Sequence, residues 1–191
     1  LYVNREEGFI GWSLRKDEFI EECSDLDDII LFFDNGKVIV TKIADKKFVG
    51  KGILHVAVWK KGDERTIYHL IYQAGKMAPS YMKRFAISSI TRDREYDIVG
   101  NANNPKINYF SVNPNGRRET VLIKLRPRPK LKKLKIEIDF AELMIKGRGS
   151  KGNLVTKHFI SKIEQRELGG STLAARKIWW DEVVLRLNND Q

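Results

Sequence analysis

The chain is poor in the residues that build catalytic and metal centres. It has one cysteine, Cys23, and three scattered histidines, His55, His69 and His158. A single cysteine excludes an internal disulfide, and this set cannot supply a four-ligand zinc site. Cys23 therefore reads as a small buried or half-buried side chain rather than a nucleophile. No stretch of 18 successive apolar residues occurs, and Leu1-Tyr2-Val3-Asn4-Arg5-Glu6-Glu7 lacks a signal-peptide core. That pattern predicts a soluble, unexported chain. Ser, His and Asp are present without a nucleophile-elbow sequence, and few stretches read as helix. Acidic residues cluster at Asp25, Asp27 and Asp28, but Asp27 and Asp28 stand before a strand, where carboxylates cap or solvate a turn rather than bind metal. Tyr81 would need acidic metal ligands and a general acid beside it to attack a phosphate, and none is evident. An enzyme reading finds no pocket to stand on.

What the chain has in excess is positive charge. Its 191 residues carry 35 Lys and Arg against 25 Asp and Glu, a formal net charge of +10. Such a surplus points to an anionic polymer or membrane surface. It is uneven: from Arg117 to Glu137 nine basic residues are opposed by Glu119 and Glu137 alone.

A short phrase also recurs. Gly36-Lys37-Val38-Ile39-Val40-Thr41-Lys42-Ile43 is echoed by Gly152-Asn153-Leu154-Val155-Thr156-Lys157. Looser copies follow Gly75 and Gly116, so the glycines stand about 36 to 41 residues apart. A partial fifth copy is Gly8-Phe9-Ile10-Gly11-Trp12-Ser13-Leu14. Each copy places a glycine turn before an apolar strand carrying basic residues. Segments 29–33 and 38–43 predict a hairpin about Asp34-Asn35-Gly36. Segments 53–59 and 66–72 predict a second hairpin, and 108–112 with 120–125 a third. Segment 134–140 alternates apolar and charged residues, as a strand with one wet face does. Two-stranded units cannot bury a face alone, and packing them around an axis solves this. The expectation is an all-β, propeller-like disk of about four to five repeated blades. Segments 91–97 and 101–105 read as linker and loop. The tail 174–185 reads as a closing strand or a short helix, with Trp179 and Trp180 either packed for closure or facing a partner.

The densest basic turn is Lys146-Gly147-Arg148-Gly149-Ser150-Lys151-Gly152. Its glycines allow a tight curve with amides near a ligand, and its cations suit phosphate. It lacks the spacing and following helix of a Walker loop, so nucleotide hydrolysis is excluded from the reading. A plain flexible basic turn is the competing one. Lys37, Lys42, Lys76, Lys83, Arg84, Arg117, Arg118, Lys124, Arg126, Arg128 and Lys157 are the other candidate phosphate contacts, with Ser150 as a hydrogen-bond donor. If the repeats close into a disk, these groups share a rim and form a curved positive track suited to a bent duplex. Lys130, Lys132, Lys133 and Lys135 follow Arg126-Pro127-Arg128-Pro129 and serve either as phosphate contacts or as a charged strap.

The phrase Asp34-Asn35-Gly36-Lys37-Val38-Ile39-Val40-Thr41-Lys42 and the turn and strand from Lys146 to Ile160 resemble blades of a known family. It is the C-terminal domain of the A subunit of bacterial type IIA topoisomerases, DNA gyrase and topoisomerase IV. The ordered pattern, from Tyr2-Val3-Asn4-Arg5-Glu6-Glu7-Gly8 to Lys177-Ile178-Trp179-Trp180-Asp181, is most similar to the topoisomerase IV branch of Bacteroidetes-like bacteria. The resemblance implies one β-pinwheel over 1–191, a fragment of a longer A subunit, with strands exchanged between blades and a basic rim that binds and bends double-stranded DNA. It implies no catalytic residue, metal or cofactor in the fragment, with ATP and Mg2+ used by the parent enzyme. Its implied partners are the remainder of the parent polypeptide and the B subunit that carries the ATPase. It further implies no membrane, and a bacterial cytoplasmic, nucleoid-associated location. The expected role is to position the transported duplex for relaxation and decatenation. Gyrases carry a box of Gln, basic residues and glycines in the first blade. Here the nearest match, 146–152, begins with Lys, has Ser150 in place of glycine and lies in the last repeat, which disfavours gyrase-type supercoiling. Gyrase-type wrapping and a propeller serving as a protein-interaction platform are the alternatives.

Overall fold

A computed structural model describes residues 1–77 and 79–174; the tail with Trp179 and Trp180 lies outside the described residues. The described residues form sixteen strands and two single 3-10 turns, with no α-helix. In chain order the strands are β1 Tyr2–Asn4, β2 Phe9–Gly11, β3 Glu18–Phe19, β4 Asp28–Phe33, β5 Lys37–Lys42, β6 Lys47–Phe48, β7 Ile53–Trp59 and β8 Ile67–Gln73. They continue as β9 Ser80–Phe85, β10 Tyr96–Asp97, β11 Lys106–Asn113, β12 Arg117–Leu125, β13 Lys135–Asp139, β14 Ile145–Lys146, β15 Asn153–Thr156 and β16 Ile160–Ser171.

Four sheets result, with strand orders β3-β1-β2-β6, β10-β5-β4-β7, β11-β8-β9 with β14 and β15 both on β9, and β13-β12-β16. All pairings are antiparallel except β14 on β9. Short strands from later in the chain complete earlier sheets. β6 returns to the first sheet, β10 to the second, and β14 and β15 to the third. Successive blade-like units therefore exchange strands.

The exchange corrects two expected hairpins. β7 pairs with β4 and β8 with β9 and β11, so the 60–66 turn joins two sheets. Likewise β11 pairs with β8, and β12 with β13 and β16, so 114–116 is a connection between sheets. Sequence located these strands, but a glycine turn does not reveal whether its flanking strands pair with each other or with strands far along the chain. The hairpin about Gly36 forms as expected, with Leu31 opposite Ile39 and Phe32 opposite Val38. Gly36 adopts φ +77°, and a Cβ there would meet Val99 at 2.7 Å, so both conformation and space require glycine. The Gly152 copy opens no blade of its own. Its strand β15 caps the outer edge of the third sheet, and a Cβ at Gly152 would lie 2.6 Å from the Met82 carbonyl oxygen. Segment 91–97 is more than a linker, since Tyr96 and Asp97 pair with Val38 and Lys37.

The sheets stack in sequence order, each interface holding one apolar cluster. Ile29, Leu31 and Phe33 of β4 face Val3 and Ile10 of the first sheet. The intervening Ile30 and Phe32 face Tyr68, Leu70 and Tyr72 of β8. On the opposite face of β8, Ile71 packs with Val121, Ile123 and Phe140 of the fourth layer. Strict alternation thus buries both faces of β4 and β8, which is why they read as continuous apolar runs. Each such residue contributes about 1.5–3 kcal/mol of burial.

His69, within the β8 run, is part of a buried polar network with Glu119 of β12. Glu119 has no solvent exposure and accepts from His69 Nδ1 at 2.9 Å, Ser111 Oγ at 2.6 Å, Tyr109 Oη at 2.9 Å and Gln165 Nε2 at 2.7 Å. Burial would raise the carboxyl pKa, but four donors outweigh it and hold it at about 2. Burial depresses the His69 pKa despite its carboxylate partner. The carboxylate ties the third sheet to the fourth.

Two tests follow from this network. Glu119→Gln places an amide among four donors, and urea unfolding should show a loss of about 2–4 kcal/mol. The Glu119 carboxyl has a folded pKa below its ordinary 4.5, so its contribution is present above that value and lost as pH falls towards about 2. His69, with its folded pKa lowered from 6.5, erodes stability in the same direction, starting below that pH. Unfolding free energy followed from pH 7 to pH 2 should fall more steeply below pH 4.5 in the parent chain than in Glu119→Gln; parallel curves would contradict the assignment.

Candidate nucleic-acid interface

The registers place the ends of the second, third and fourth sheets side by side. At one end lie the turn 34–36, the start of β11, the turn between β8 and β9, and the segments leaving β12 and entering β16. Three clefts run across that end. The first, about 560 Å3, is lined by Asp34, Asn35, Lys37, Asn104 and Lys106 together with three less polar neighbours. The second, about 270 Å3, shares Asn104 and Lys106 with it and adds Lys76, Asn108, Arg126 and Phe159. The third, about 360 Å3, is lined by Arg128, Pro129, Lys130, Leu131 and His158. Among the described residues, Asp34 is the one acidic residue lining any of the three.

The opposite end has a different character. A cleft of about 600 Å3 there is lined by Glu21, Glu22, Asp27 and Asp63 together with His55 and Lys60. Asp27 accepts from the Ser24 amide and so orders the turn before β4, as its sequence position suggested, whereas Asp28 is the first residue of β4 and pairs with Arg92 at 2.8 Å instead of capping that turn. Among the described residues no group of His, Cys, Asp and Glu is arranged to hold a metal ion, and no helix is long and apolar enough to cross a membrane.

Of the expected contacts, the structure gathers Lys37, Lys76, Arg126 and Arg128 on the basic end, with exposed Lys157 directly after β15. Lys37 is 3.7 Å from Asp97, and the Arg126 guanidinium lies 5.8 Å from the Phe159 ring centre. Lys106 and Lys130 complete the track. Lys106 escaped the sequence reading because it sits alone in 101–108, and only the β8–β11 register brings it opposite Gln73.

Lys83 and Arg84 belong to a different class. They are 1% and 4% exposed, so neither faces solvent where a phosphate could reach it. As neighbours on β9 they point to opposite faces. The Lys83 ammonium donates to the carbonyls of Ile98 at 2.7 Å and Ser150 at 2.8 Å, and also to that of Arg148. Burial pushes its pKa down to about 8. The Arg84 guanidinium donates to the Phe140 carbonyl at 3.1 Å and Thr172 Oγ1 at 2.9 Å, towards the fourth sheet. Adjacent basic residues in an apolar strand read as a solvated patch; two-sided burial turns them into staples.

The turn 146–152 is shaped by that staple. Lys146 Nζ donates to Lys151 O at 3.1 Å and Asn153 Oδ1 at 2.6 Å, Arg148 lies over Tyr96 at 4.3 Å, and Lys151 lies over Tyr81 at 4.5 Å. The Ser150 amide bonds Gly147 O and the Gly152 amide bonds Tyr72 Oη, so those two amides are already taken. The remaining candidates line none of these clefts. Lys42 is exposed at the far end of β5, Arg117 is half-buried at the far end of β12, Arg118 pairs with Asp139 at 2.5 Å, and Lys124 pairs with Glu164 at 2.9 Å.

Comparison with known proteins shows the family. Residues 1–167 match the family Topoisomerase C-terminal domain, Bacteroidota. Over 165 residues the chain is 30% identical to the A subunit of DNA topoisomerase 4 from Borreliella burgdorferi, covering 86% of this chain and 24% of that protein. The chain thus spans about a quarter of the length of that relative. A crystal structure of the C-terminal domain of DNA topoisomerase IV is similar with a TM-score of 0.48 and 14% identity, over 87% of this chain and 52% of that one.

Removing the Lys83 ammonium leaves three carbonyls without their donor. Lys83→Met should cost about 3 kcal/mol in urea unfolding and speed amide exchange in 147–152. Unchanged exchange in that turn would contradict the staple.

Proposed function

The chain belongs to the topoisomerase C-terminal domain family of the Bacteroidota, and from that premise we propose that it binds and bends double-stranded DNA without cutting it. The observation that carries this reading is the predominantly basic end of the sheets, where Lys37, Lys76, Lys106, Arg126, Arg128 and Lys130 line consecutive clefts; among the described residues Asp34 is the one acidic residue in their lining, and Asp97 lies beside Lys37. A surface of this kind suits a polyanion. Backbone phosphates satisfy it through charge, which fixes position and carries little sequence information.

The parent is a type IIA topoisomerase of the topoisomerase IV kind, in which this polypeptide works with an ATPase partner and ATP and Mg2+ are used outside this chain. There the domain holds the duplex to be transported, supporting relaxation and decatenation in the bacterial cytoplasm, at the nucleoid. The Lys146 and Ser150 positions favour this over gyrase-type supercoiling. Four sheets that exchange strands are consistent with a β-pinwheel whose stack curves into a disk. A curved basic track offsets the elastic cost of bending with added phosphate contacts.

Fluorescence anisotropy with the 191-residue chain and a duplex of random sequence tests the reading. With about six phosphates contacted, log affinity should fall against log salt with a slope of around 5, with little change between sequences. No binding at low salt, or binding indifferent to salt, would sink it. Cyclisation of short duplexes in the presence of the domain should be enhanced if the contacts bend DNA.

A further inference from the structure

The basic turn 146–152 is the most conspicuous phosphate-binding candidate in the sequence, but its groups are largely engaged with the protein itself. We propose that the main phosphate anchor is instead the cleft between the third and fourth sheets, where Lys76, Lys106 and Arg126 converge. This rests on the duplex-binding reading and names the part of the surface that carries it.

Three observations support the assignment. First, the three cations come from separate places in the chain: the β8–β9 turn, the first residue of β11, and the residue after β12. The sheet-to-sheet stack is what brings them to one cleft of about 270 Å3, beside Asn104, Asn108 and Phe159. No acidic residue lines it, and none of the three cations forms an ion pair among the described residues. Second, its neighbours continue the same charge. Lys106 also lines the cleft holding Lys37, and Arg126 is two residues from Arg128 of the third cleft. A phosphodiester seated at Lys106 therefore has further cations on both sides along a strand.

The third observation is the contrast with 146–152. Lys146 is bonded within the turn, Arg148 and Lys151 lie against tyrosine rings, and the carbonyls of Arg148 and Ser150 face inward to Lys83. A carbonyl-bound ammonium beneath the turn fixes its shape but adds no outward donor. To meet a phosphate, Lys146 must first give up two hydrogen bonds. Among the described residues the side chains of Lys76, Lys106 and Arg126 donate no hydrogen bond, and the one ring contact among them, Arg126 to Phe159 at 5.8 Å, is longer than those of Arg148 and Lys151.

The test compares two triple variants of the 191-residue chain in anisotropy titrations across a salt series with one duplex. Lys76→Gln/Lys106→Gln/Arg126→Gln should lower the salt slope by about 3 and weaken binding about tenfold or more near 0.1 M salt. Lys146→Gln/Arg148→Gln/Lys151→Gln should lower the slope by less than about 1. The single variant Lys106→Gln, with a slope lower by about 1, covers the case in which a triple variant fails to fold. An unchanged slope in the cleft variants, or a larger loss in the turn variant, overturns the assignment while leaving duplex binding intact. Failure of the unsubstituted chain to bind at all overturns the duplex reading, and this proposal with it.

Discussion

A buried ammonium holds the middle of this domain together. Lys83 reaches off one face of β9 to three carbonyls, one at the end of the second sheet's returning strand and two in the turn between β14 and β15. The neighbouring Arg84 does the equivalent on the other face, towards Phe140 and Thr172. Apolar contact alone tolerates sliding between stacked sheets, because it is non-directional. Charged donors aimed at particular carbonyls do not. Glu119 adds a third fixed point, between β12 and the strands β8 and β11. Breaking one of these leaves buried polar groups unpaired, which makes each register far more costly to lose than to keep.

Those fixed registers give the surface its electrical polarity. Each of the second, third and fourth sheets contributes only one to three of the basic side chains that line the clefts at its end. Stacking the ends in line converts scattered charges into one track, in which the first two clefts share Lys106 and the second and third take Arg126 and Arg128. Distant cations on a flexible chain would be screened from one another; cations on a rigid edge act on the same ligand. The opposite end, with Glu21, Glu22, Asp27 and Asp63 in its cleft, repels the same ligand and restricts it to one side.

Much of the architecture was legible in the sequence. The strand segments, the Asn-Gly hairpin and the half-wet β13 follow from local alternation and turn chemistry, which need no knowledge of distant partners. Pairing was not legible beyond β4–β5, because strand exchange makes the neighbour in space a strand from another part of the chain. The site divides along the same line. Arg126 and Arg128 stand in an evidently basic stretch, and the structure keeps them exposed. Lys83 and Arg84 carry the same local signal and are internal, since no pattern within 80–85 tells that both faces of β9 are covered. Lys106 has no local signal at all and reaches the track through the register of β11.

The most direct test of the account is an amide hydrogen-exchange footprint of the domain with and without a saturating duplex. Protection concentrated in 73–77, 104–108, 126–130 and 157–160, with 21–28 and 60–66 unchanged, is the result expected of a duplex lying across the basic end. Protection centred on 146–152 and absent from those segments would contradict it.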